Sequence, residues 1–151
     1  QMCIRDSGGV EGEGASLIDL LDDLARQLGL FHTAQVSIRV TDLSKIGEMM
    51  TRLRTAPPAE LVGSAVTVRD LAEGSLETTG VPPTDGMLLL AEDGTRVIVR
   101  PSGTEPKLKA YLEVIEQCKR DASFDELTEM RERAAERMAA LKVEVRKVIG
   151  A

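Results

Sequence analysis

The residues best suited to chemistry stand in one run, Arg100-Pro101-Ser102-Gly103-Thr104-Glu105-Pro106-Lys107. Their types suit an anion. The guanidinium of Arg100 offers a planar fork of donors that matches the edge of a phosphate. Ser102 and Thr104 add hydroxyls. Gly103 allows a tight turn that brings successive backbone N–H groups close to a negative charge. Pro101 and Pro106 fix φ on either side and pre-shape the loop. Lys107 and, two residues on, Lys109 supply further cations. The same composition also fits a plain hairpin turn, since Pro, Ser and Gly are common turn residues.

Two strands must hold this loop. Val97-Ile98-Val99 leads in and Leu108 to Ile115 leads out. In the second strand Leu108, Ala110, Leu112 and Val114 point one way, and Lys107, Lys109, Tyr111 and Glu113 the other. With the first set in the core, Lys109 stands on the open face beside the loop; an ordinary solvated strand lysine is an equal reading. Glu92-Asp93-Gly94-Thr95 joins the apolar run Met87–Ala91 to the returning strand Arg96–Arg100, and Asp-Gly between two such runs marks a hairpin.

The string from Arg100 to Lys107, with Leu108 to Val114 after it, resembles the C-terminal phosphate-binding signature of the α-D-phosphohexomutases, a family of phosphoglucomutases, phosphomannomutases and phosphoglucosamine mutases. The resemblance covers residues 30–150 and the helix before them, and is strongest from Gly86 to Val114. It implies an α+β fold: a small antiparallel sheet of about four strands with helices on one face, similar to TATA-binding-protein-like folds. It implies the last of four domains in an intramolecular phosphotransferase that interconverts hexose 6-phosphate and hexose 1-phosphate through a phosphoserine and a bisphosphosugar. Carried over, Arg100, Ser102, Gly103 and Thr104 bind the substrate's non-reacting phosphate, Lys109 adds charge where the family commonly has Arg, and Lys107 contributes. Glu105 shapes the loop, because a carboxylate beside phosphate repels it.

The rest of that enzyme's chemistry has no counterpart in this sequence. There is no Thr-Ala-Ser-His-Asn-Pro-like nucleophile loop, no Asp-x-Asp-x-Asp metal loop and no Glu-Ser-Gly sugar reader; Glu11-Gly12-Glu13-Gly14 lacks the serine. The expectation is therefore a chain that binds no cofactor and carries no catalysis alone, with Mg²⁺ and the nucleophile in the preceding mutase domains. Two alternatives are a free-standing phosphosugar-binding or regulatory module, and an assembly piece that docks on separate mutase domains.

The elements upstream follow from local pattern. Residues 1–14 have neither helical nor strand period and read as a non-native or disordered leader. Over 15–30, Ser16 caps a helix with Asp19 three residues on, and Leu17, Leu20, Leu21, Leu24 and Leu28 share one face up to Gly29; in the resemblance this helix ends the preceding domain. The C-terminal phosphate-binding domain then occupies 31–151. Gln35 to Val40 alternates as a half-buried strand. Asp42 or Ser44 caps a helix with Ile46, Met49, Met50 and Leu53 inward, ended by Pro57-Pro58. Leu61 to Leu71 is one short β segment and Ala72 to Asp85 a surface loop. Ser123 and Glu126 form a capping box before a long helix whose stripe runs Leu127, Met130, Ala134, Met138, Leu141, Val145 and Val148.

Composition limits the partners. The 151 residues carry a net charge of −6 and 2 % aromatics, which excludes a general nucleic-acid binder and any base-stacking platform. An acidic chain binds an anion only through a local basic site. Cys3 and Cys118 give no disulfide framework, the lone His32 no metal site, and no run is long and apolar enough for a membrane span. A reduced cytoplasmic setting fits best.

Overall fold

A computed structural model describes residues 16–73, 77, 80 and 82–150. The leader expected over residues 1–14 lies outside them, as does part of the 72–85 loop. Helix α1 spans Leu17–Leu28, strand β1 Leu30–Arg39, helix α2 Ser44–Thr55, β2 Glu60–Leu61, β3 Ser64–Asp70, β4 Met87–Ala91, β5 Arg96–Pro101, β6 Lys107–Glu116 and helix α3 Phe124–Ile149. The strands form one six-stranded sheet in the order β1-β6-β5-β4-β3-β2, antiparallel throughout. The resemblance implied about four strands and the sequence pattern marks five β segments; the sixth strand comes from the Leu61–Leu71 segment, which is a hairpin rather than one run: Val62 (φ 50°) and Gly63 (φ 76°) make the tight turn. A valine is strained there, and its N–H is held by the Glu144 carboxylate of α3 at 2.8 Å. Strand β1 also begins five residues earlier than alternation suggests, at Leu30.

Alternation sorts the sheet into two faces. Val36, Leu89, Val97, Val99, Leu108, Ala110, Leu112 and Val114 point into the core. Helices α2 and α3 cover that face, α2 with Ile46, Met50 and Leu53 and α3 with Met138, Leu141, Val145 and Ile149. The stripe of α3 thus ends on Ile149 rather than Val148. Arg137 of α3 clamps the sheet's far end by donating to Glu116, to Asp93 at 2.5 Å and to the hydroxyl of buried Thr95 at 3.1 Å. The predicted Ser16 cap and the predicted Ser123–Glu126 capping box are both present, and Ser16 with Asp19 also closes a full capping box. Helix α2 differs: Leu43 stands at its N-cap, and Asp42 accepts from the Ser44 N–H at 2.9 Å.

Helix α1 docks by its polar side. Asp22, 3 % exposed, pairs with Arg131 of α3, Arg26 donates to the Ala122 carbonyl at 2.9 Å, and Ala25 packs on Leu127 and Met130. Its leucines face outward, with Leu24 at 50 % and Leu28 at 65 % exposure. The sheet face away from α2 and α3 is left uncovered by described helices, and it carries the phosphate-type loop.

Candidate anion-binding site

Strand parity and register build the site. Lys107 and Lys109 are on the open face of β6 because Leu108 and Ala110 are in the core. Across β5, Arg100 is the register partner of Lys109, and across β1, Ser37 is the partner of the same lysine. One row therefore crosses three strands: Ser37, Lys109, Arg100. The next row toward the loop pairs Arg39 with Lys107. Register partners on one face hold their Cβ atoms about 5 Å apart. Four cations thus gather at one end of an acidic chain.

The loop between β5 and β6 is short and tied at both ends. The Ser102 N–H donates to the Lys107 carbonyl at 2.9 Å and the Lys107 N–H to the Glu105 carbonyl at 2.7 Å. Strand β1 steadies it from the side, the Val40 N–H donating to the Pro106 carbonyl at 3.0 Å. Among the described residues no hydrogen bond takes the N–H of Gly103, Thr104 or Glu105, or the hydroxyl of Ser102 or Thr104. These donors stand exposed or half-exposed at the loop tip.

Gly103 needs a different account from the one its turn position suggests. Its φ is not positive, so the backbone turns without left-handed geometry there. A Cβ at Gly103 would meet nothing within 4 Å. The space beside this glycine is open.

The cations are not equivalent. Among the described residues Arg100 and Lys109 have no carboxylate in ion-pair range. Lys107 does: its ammonium is paired with Glu105 and its side chain is only 14 % exposed. Arg39 Nη2 lies 3.9 Å from the other oxygen of Glu105, with its side chain 80 % exposed. The hydrogen bond and charge of Lys107, then Arg39 and Lys109, hold the Glu105 carboxyl below the usual carboxylate range.

All six residues singled out in the sequence, Arg100, Ser102, Gly103, Thr104, Lys107 and Lys109, come together here. Arg39 was missed. Its signal was present, an outward position in an alternating strand, but nothing local says that β1 pairs with β6. Beyond the cationic end, Gln35, Tyr111, Ile98, Arg96 and Glu113 line an open cleft of about 420 Å³ on the same face. Among the described residues no three His, Cys, Asp or Glu side chains are grouped to hold a metal ion, and no described helix is long and apolar enough to cross a membrane.

Known proteins resemble this chain in sequence and fold. The family model for the C-terminal domain of phosphoglucomutase/phosphomannomutase matches residues 36–136. A probable phosphomannomutase of Haemophilus influenzae is 40 % identical over 119 residues, which is 76 % of this chain and 24 % of that protein. A phosphoglucomutase of Staphylococcus epidermidis is 28 % identical over 143 residues, 82 % of this chain and 26 % of that one. The chain thus spans about a quarter of the length of these curated relatives. Among solved structures, the open form of the exocytosis-sensitive phosphoprotein pp63/parafusin, a phosphoglucomutase from Paramecium, superposes with a TM-score of 0.52 at 16 % identity, over 90 % of this chain and 24 % of that one. That likeness establishes the fold, and the family model, spanning most of the chain and the whole site, establishes the lineage: the chain belongs to the phosphoglucomutase/phosphomannomutase C-terminal-domain family.

Proposed function

We propose that the chain is the substrate-phosphate-binding domain of a phosphohexomutase, which interconverts hexose 6-phosphate and hexose 1-phosphate with glucose or mannose as the sugar. One observation carries the reading. Arg100 and Lys109, register partners with no described acid in range, flank a loop whose N–H groups at Gly103 and Thr104 are unengaged. Two free cations and converging donors form a receptor for a phosphate dianion.

In this reading the chain positions and does no bond-making. Arg100 grips two phosphate oxygens, Lys109 neutralises charge, and Ser102, Gly103 and Thr104 fix orientation. Holding the non-reacting phosphate spends remote binding energy on placing the reacting one. In the same reading the nucleophile and Mg²⁺ belong to the preceding mutase domains. The outward leucines of α1 support the same view, as the surface such a domain would cover. The setting proposed is the cytoplasm.

Calorimetric titration of the chain with glucose 1-phosphate, mannose 1-phosphate and inorganic phosphate tests the site. The wild type is expected to bind at about millimolar strength, and Arg100→Ala to lose most of that affinity. Equal affinity in the variant refutes the assignment.

A further inference from the structure

One carboxylate stands inside the cationic end of the sheet. Glu105 pairs with Lys107 and lies 3.9 Å from Arg39. Those two cations are themselves register partners across β1 and β6. A phosphate seated on Arg100, Lys109 and the N–H groups of Gly103 and Thr104 would meet Glu105 one or two residues along the same loop, and like charges at that range repel. Protonation does not relieve the clash, because the neighbouring cations favour the charged carboxylate. Movement does. The Glu105 side chain is 45 % exposed and that of Arg39 80 %, so the carboxylate can turn into water although the Lys107 side chain is largely buried.

We propose that the Glu105 carboxylate is a resident counter-anion: it neutralises Lys107 and Arg39 in the ligand-free chain, and an incoming phosphate dianion displaces it and takes over both cations. Arg39 is thereby a further binding residue, supplied by β1 rather than by the loop. Glu105 is a positioning residue with two tasks. It stops Lys107 and Arg39 from repelling each other in the empty site, and it sets a threshold that weakly charged anions do not pass. This inference rests on the phosphate reading of the same site.

The test titrates wild type, Glu105→Gln, Glu105→Gln/Arg39→Ala and Arg100→Ala with inorganic phosphate in a low-chloride buffer. The Glu105 side-chain carboxyl carbon is followed by NMR in the wild type. Glutamine keeps the shape of the glutamate, removes its charge and leaves one acceptor oxygen, the other being replaced by a donor amide. Glu105→Gln is expected to bind phosphate about fivefold tighter, and adding Arg39→Ala to cancel the gain. The wild-type Glu105 signal is expected to shift along the same isotherm as binding. Equal or weaker binding by Glu105→Gln, with an unchanged circular dichroism spectrum, overturns displacement and returns Glu105 to a loop-shaping role. So does a Glu105 signal that stays still while phosphate saturates the site. If Arg100→Ala loses affinity while Glu105→Gln gains none, the phosphate site stands and only displacement falls. If Arg100→Ala binds like wild type, or no form binds, the phosphate reading falls with it.

Discussion

Replacing Lys109 with methionine should move stability and binding in opposite directions. Lys109 and Arg100 are register partners on one face with no described acid in range, so the ligand-free fold holds two like charges side by side. With the charged ends about 6 Å apart, their repulsion is about 0.7 kcal/mol at the dielectric of water and about four times that at an effective constant of 20. Lys107 adds to it from two residues along β6, and Glu105 offsets part of it. Methionine keeps the length and most of the apolar stem while deleting the charge. Urea unfolding of Lys109→Met in 0.01 M sodium chloride is expected to show a gain of about 0.5–1 kcal/mol over wild type. In 1 M salt the gain should vanish, since the screening length falls from about 30 Å to about 3 Å. Inorganic phosphate, kept out of the unfolding buffer because it is the proposed ligand, should bind the variant about five- to tenfold more weakly. A loss of stability at low salt, or a gain that salt leaves untouched, would show that Lys109 is held by packing and not opposed by Arg100.

Two further outcomes follow from the same geometry. Arg54 at the end of α2 donates to Asp70 at 2.7 Å and holds that carboxyl below its ordinary value, so the pair stabilises the fold above about pH 3.9, where the unfolded chain's aspartates ionise, and the contribution is lost as pH falls through the depressed folded value; urea midpoints of wild type and Asp70→Asn are expected to diverge above about pH 4 and converge in stronger acid. Leu112, 2 % exposed, and Leu24, 50 % exposed, make a paired contrast: Leu112→Ala should cost about 2–5 kcal/mol, while Leu24→Ser in this chain should stay within about 0.5 kcal/mol of wild type, both read by urea unfolding.

Much of the site was legible because its determinants are local. The turn at Asp93-Gly94, the alternation around Lys109 and the serines before α1 and α3 act within a few residues, and each resides where the sequence puts it. The parts that were not legible depend on distant partners. Val62 takes a left-handed conformation that valine avoids, and it does so with Glu144 of α3 holding its N–H, so no turn residue announces the β2–β3 hairpin. Leu30 to Ala34 extends β1 because β6 offers a full-length partner, not because its own pattern alternates cleanly. Arg39 joins the site through that same pairing. The leucine stripe of α1 reads as core, yet Asp22 and Ala25 face the body of the protein, because buried Asp22 finds Arg131 there.

The pairing of β1 with β6 also sets when the site comes into being. The hairpin β4–β5 and its neighbour β6 join segments close in the chain, and such contacts close quickly. Strand β1 must instead return across the whole intervening chain, past α2 and the β2–β3 hairpin, before Arg39 and Ser37 meet β6. Long-range closure is slow and entropically costly. A nascent chain that has built the loop but not yet docked β1 therefore carries half of the proposed receptor: Arg100 and Lys109 are in place, but the loop lacks the Val40 tether to Pro106. Phosphate present during refolding should accordingly act late, slowing unfolding of the finished sheet more than it speeds its assembly.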